Sequence, residues 1–190
     1  TRPWFTMFWV VCLTIGTIAP LAYLTELLGV TLPDTYNEMF KGIMQHKLGF
    51  ITIGIIAPIA EEYVFRGAIL RVLCDITGKH RQWVAIVLSA ALFATVHGNM
   101  AQGIGAFLCG LLLGWMYVRT GSIVPGVVYH WVNNSTAVLL YRLMPQSADM
   151  QFADFFGGDM KRVALAIVFS LMIFGASMFQ LNLRLQKPQQ

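Results

Sequence analysis

Ala57-Pro58-Ile59-Ala60-Glu61-Glu62-Tyr63-Val64-Phe65-Arg66 is the stretch on which the reading of this chain turns. Two adjacent carboxylates and an arginine interrupt an apolar run that begins near Leu48 and ends near Leu73. A run of that length can cross a bilayer, whose hydrocarbon core is about 30 Å thick. Ionisable groups at such depth are costly and mark a site by default. The spacing Glu62-x-x-x-Arg66 puts both side chains on one helix face, as an ion pair requires. Glu61 is turned about 100° from Glu62 and can face another helix.

The rest of the chain repeats the apolar theme. Of its 190 residues, 57% are hydrophobic and only 12% charged, and the mean hydropathy is +0.65. Soluble domains carry roughly 25% charge. The expected fold class is therefore all-α: a polytopic transmembrane helical bundle forming one integral membrane domain over 1–190. Six spans are expected, at about 4–24, 48–72, 82–98, 101–119, 123–144 and 161–182. The chain opens Thr1-Arg2-Pro3-Trp4, which suggests a truncated or processed start. Residues 4–24 read as a span and not a cleaved leader, because no small-residue cleavage site follows. In 31–47, Leu32, Tyr36, Met39, Phe40, Ile43 and Met44 recur at helical spacing among charges, which suits an amphipathic helix at the interface. Cys12, Cys74 and Cys109 show no paired spacing and read as small packing residues. Gly110 and Gly114 form a G-x-x-x-G pair that lets helices approach closely.

Charge gives an expected orientation. With the N-terminus inside, the cytoplasmic pieces hold Arg2, Arg71, Lys79, Arg81, Arg119, Arg184 and Lys187 against Asp75 alone. The outer pieces hold Lys41, Lys47, Arg142, Lys161 and Arg162 against six acids. Cytoplasmic loops favour Lys and Arg, so both termini are expected inside. The net charge of +4 is thus a topology signal and does not point to nucleic acid.

Two further polar clusters interrupt the spans: Phe93-x-x-x-His97, and His130-x-x-x-Asn134 with Asn133 beside it. Counted at roughly 1.5 Å per residue from the cytoplasmic ends, Glu61, His97, His130 and Asn134 all fall around the midplane. A carboxylate removed from water is a stronger base, and an imidazole can hold the other side of a water molecule. An imidazole N–H and an Asn amide on one face can stabilise the oxyanion formed when that water attacks an amide carbonyl. Each residue alone has a structural reading. Glu62 and Arg66 can be a buried structural pair, a lone intramembrane His a helix–helix hydrogen bond, and Asn134 a packing contact. Phe93 reads as site wall, and His46 and His80 as solvated loop residues. Three separate helices contributing at one depth favour chemistry over those readings. Glu61, His97 and His130 could also supply three zinc ligands, although the H-E-x-x-H arrangement is absent.

The ordered set E-E-x-x-x-R, F-x-x-x-H and H-x-x-x-N on successive helices resembles the CAAX protease and bacteriocin-processing family, also called Abi or type II CAAX prenyl endopeptidases. The resemblance covers about 48–140. It implies a glutamate-type intramembrane endopeptidase with no cofactor or metal, in a multi-pass protein of a bacterial or archaeal cell membrane. It implies that Glu61 and His97 hold the attacking water, that His130 and Asn134 form the oxyanion site, and that Glu62 and Arg66 support the first helix. The implied partners are membrane lipid and a peptide or lipid-modified protein substrate, either prenylated CAAX-type or a peptide precursor. Some members of the family act as scaffolds without proteolysis, so a non-catalytic adaptor or immunity protein is the alternative from another class. A proton-relay transporter built on Glu61 and His97 is a third reading.

Overall fold

Lipid offers the backbone no hydrogen bonds, so a chain this apolar must satisfy its amides internally. The computed structural model, which describes residues 3–185, shows seven helices and no strand among those residues. They are α1 (Pro3–Leu27), α2 (Asp34–Gln45), α3 (Phe50–Thr77), α4 (Gln82–Thr95), α5 (Met100–Thr120), α6 (Val124–Leu143) and α7 (Met160–Arg184). Short 3₁₀ turns at Pro145–Asp149 and Phe152–Phe156 connect α6 to α7. Arg2 and Lys187, two members of the expected cytoplasmic charge set, lie outside the described residues.

The helical membrane bundle is as expected, and the number of spans agrees roughly. Helices α1, α5 and α7 are long and apolar enough to cross a membrane. A fourth is reached if α2 and α3, which meet at a bend of 102°, count as one broken span. The expected span over 82–98 ends early. Helix α4 has 14 residues, about 21 Å of rise, and stops at Thr95. Gly98 takes a left-handed φ of 69°, and the Asn99 side chain accepts the Gln102 N–H to start α5. Helix α6 has 20 residues, but His130, Asn133, Asn134 and Ser135 dilute its apolar character.

Helices α1, α5, α6 and α7 share a core built on Val10, Leu13, Leu113, Met116, Tyr129 and Leu181. The glycine pair does what its spacing suggests. A Cβ on Gly110 would lie 3.0 Å from that of Ala90, and one on Gly114 would lie 2.9 Å from Ile86, so α5 sits tightly on α4. No disulfide joins the three cysteines. Helix α2 lies across the bundle as an amphipathic element, with Met44 buried against Val138 and Tyr141 of α6.

Candidate active site

Helix α3 positions the two glutamates by an unusual route. Only Ala57–Glu62 and Arg71–Thr77 are α-helical, and the stretches Phe50–Ile56 and Tyr63–Leu70 are π-helical. Wide turns of this kind are rare and concentrate at functional sites. Arg66 Nη1 donates to Glu62 Oε1 at 2.6 Å, with both side chains essentially inaccessible. The guanidinium also donates to the Gly110 carbonyl at 3.4 Å and lies 4.5 Å from the centre of the Phe93 ring. Charge pairing, a backbone carbonyl and a cation–π contact together make this buried cation tolerable. Gly126 lets α6 approach, since a Cβ there would lie 2.5 Å from Glu62 Oε2.

Glu61, one residue earlier, faces the interior of the bundle. Its side chain retains 34% exposure, whereas that of Glu62 retains none. Both carboxylates converge on one imidazole. His130 Nε2 is 3.6 Å from Glu61 Oε2, and His130 Nδ1 is 3.4 Å from Glu62 Oε1. Neither contact has hydrogen-bond geometry, and Glu61 Oε2, Glu62 Oε2 and His130 Nδ1 are buried without a hydrogen-bond partner. Orphaned polar atoms each cost about 1–3 kcal/mol. Such atoms gathered around one histidine mark a place built to meet another molecule.

His97 stands in the break after α4. Its Nδ1 is 2.8 Å from the Phe93 carbonyl, which can only accept. Nδ1 therefore carries the proton, and in the neutral ring Nε2 keeps a lone pair. Phe93 is the hub between the two histidines, edge-on to His97 at 4.9 Å and to His130 at 5.8 Å. It is thus more than a wall, because it fixes both rings and carries Arg66 on its face. Asn134 Nδ2 donates to the Ile53 carbonyl at 3.1 Å, and its Oδ1 accepts from Asn133 at 3.3 Å. One of the two Nδ2 hydrogens is thereby used to lock the amide, leaving the other to donate.

Glu61, His97, His130 and Asn134 all line one cavity of about 490 Å³, while Glu62 and Arg66 sit behind it. The lining also includes Gln102, Cys109 and Tyr129, which the sequence does not place at the site; Cys109 reads there only as a packing residue. Tyr129 Oη lies 2.7 Å from Thr17 Oγ1 and 3.4 Å from Cys109 Sγ, tying α1, α5 and α6 together at the cavity floor. Its place directly before His130 was the available signal. Among the described residues, no three His, Cys, Asp or Glu side chains are grouped to hold one metal ion. Glu61, His97 and His130 are therefore not set out as a ready three-ligand zinc site.

Residues 44–136 match the model of the Rce1-like family, type II CAAX prenyl endopeptidases. That segment contains all seven residues of the three motifs. Two relatives are similar to the chain. The UPF0177 protein YxdF of Lactococcus lactis is 25% identical over 131 residues, covering 65% of this chain and 71% of the relative. A 24.3 kDa protein of Escherichia coli is 30% identical over 93 residues, covering 47% of this chain and 42% of the relative. No solved structure matches the chain. With the three motifs intact and gathered on one cavity inside it, the matched segment is similar to the Rce1-like family, the type II CAAX prenyl endopeptidases.

Proposed function

We propose that the chain is a glutamate-type intramembrane endopeptidase that cleaves a prenylated CAAX-type protein or a peptide precursor without a metal. The observation that carries this reading is the convergence of Glu61, His97, His130 and Asn134 from α3, α6 and the α4–α5 break on one cavity. Glu61 and His97 Nε2 hold a water between two acceptors. Glu61 takes its proton as the water oxygen bonds to the scissile carbonyl carbon. The resulting oxyanion is met by N–H groups of His130 and Asn134. Glu61 then returns the proton to the amide nitrogen, the C–N bond breaks, and a carboxylic acid and an amine leave. Glu62 lies 3.4 Å from Nδ1 on the far side of His130, where its charge favours the imidazolium whose second N–H faces the oxyanion, and Arg66 balances Glu62. Lys and Arg enrichment on one side supports a topology with both termini in the cytoplasm.

The test is cleavage of a fluorogenic panel of CAAX-type and precursor peptides by purified wild type and Glu61→Gln, with and without a strong chelator. Wild-type turnover should survive the chelator, and Glu61→Gln should lower it by about 10²–10⁴-fold without loss of folding. Turnover abolished by chelator and restored by zinc would overturn the metal-free mechanism. A folded wild type that cleaves nothing would favour a non-catalytic adaptor.

A further inference from the structure

A second cavity of about 710 Å³ lies next to the first, between α1, α2, the end of α6 and the 3₁₀ turns that follow it. It is mainly apolar, with Val30, Leu32, Leu140, Met150, Phe152 and Phe155 among its walls. The two cavities are contiguous. Ile18, Ala22 and Thr25 of α1 line both. On α2 the lining passes from Phe40 in the first to Asn37 in the second, and on α6 from Ala137 to Leu140. Each step is three residues, one helical turn along the same face. The rim charges are already engaged: Asp149 pairs with Lys41 at 3.0 Å, and Glu26 Oε2 accepts the Ala153 N–H.

Resting on the peptidase reading above, we infer that the second cavity is a specificity subsite of the same reaction, filled by a neutral, apolar side chain of the peptide substrate. Contiguity argues for a peptide, because the occupant must be joined to the amide being cut next door. The distance sets the register. His130 and Leu140 are separated along α6 by about 15 Å of rise. An extended peptide advances about 3.3–3.6 Å per residue, so the recognised side chain lies about four residues from the scissile bond. No Lys or Arg stands among the lining residues, so an anionic side chain finds no cation there, meets Glu26 and Asp149 and loses its hydration.

Two readouts test this. In the first, peptides carrying Phe, Leu, Ser or Asp at positions three to five from the cleaved bond are compared by kcat/KM on the full chain. Phe or Leu at one of these positions is expected to be preferred over Ser by about ten-fold or more. Phe155→Ala should shrink that ratio, and Leu140→Ala, on a different wall, should shrink it as well. A flat preference, or variants that slow the Phe and Ser peptides equally, would overturn the subsite. The second readout does not depend on turnover. A peptide with a photoreactive benzophenone side chain at the preferred position, or four residues from its central amide if nothing is cleaved, is bound to Glu61→Gln and irradiated. Crosslinks within 145–157 support the subsite, and crosslinks elsewhere or none overturn it. Failure of the peptidase reading alone appears as crosslinking without wild-type cleavage.

Discussion

Glu61 and Glu62 are neighbours with opposite fates, and helix geometry is the cause. One residue of rotation places Glu62 against Arg66 with no exposure and leaves Glu61 facing the cavity. Glu62→Gln should therefore behave as a stability variant before it is anything else. It strands Arg66 in the interior, and breaking a buried pair from one side costs about 3–5 kcal/mol. Thermal unfolding in detergent should show a large drop for Glu62→Gln and little change for Glu61→Gln. An equal drop for both would put Glu61 in the same structural role. Much of this was legible in the sequence, because charges in an apolar run are conspicuous and four-residue spacing names the helix face. What stayed hidden depends on packing. Phe93 reads from the sequence only as packing at the site wall, yet it carries Arg66 and both histidines. Gln102 and Tyr129 belong to no motif, and only the packing of the bundle places them on the cavity wall.

The elements explain why the span count was harder to read than the motifs. Hydropathy carries the expected span on to 98, whereas the helix stops at Thr95 and Gly98 and the Asn99 cap turn the chain into the next one, a break in which His97 turns back onto Phe93. The π-helical stretches of α3 leave no mark in composition at all. Each carries a wider turn than the α-helix, so each holds residues that an α-helix would not need. Deleting Ile55 should let the first stretch relax to α-helix and keep measurable turnover. Deleting Ile59, inside Ala57–Glu62, should rotate the carboxylates by about 100° and abolish it. Equal loss from both deletions would count against the wide turns as an adjustable register. Helix α2 is fastened from outside the core by Tyr36 to the Gly98 carbonyl and by Asn37 and Lys41 to Asp149. The hydrogen bond from Lys41, joined by that from Asn37, holds the Asp149 carboxyl below the usual carboxylate range. That contribution is present above the ordinary carboxylate pKa and is lost as pH falls through the lowered value. Hydrogen exchange in Asp34–Gln45 should accelerate on acidification through that range, and in Asp149→Asn it should be fast at neutral pH too.

At the scale of the whole molecule, the charge asymmetry along the chain carries a prediction about topology. Reporter fusions after Thr1 and after Gln190 should both report the cytoplasm, and a fusion near Gln151 should report the opposite side. A fusion near Gln151 that reports the cytoplasm would reverse the orientation. The matched segment 44–136 holds every motif residue, but it excludes α1. Helix α1 nevertheless supplies Ile18, Ala22 and Thr25 to both cavities and Thr17 to the Tyr129 hydroxyl. The motif residues and part of the wall of the space around them thus reside in different parts of the chain. Substitutions at the cavity-facing positions Ile18, Ala22 and Thr25 would alter the shape of both chambers while every motif side chain stays where it is, so the breadth of what can enter is open to change one wall residue at a time.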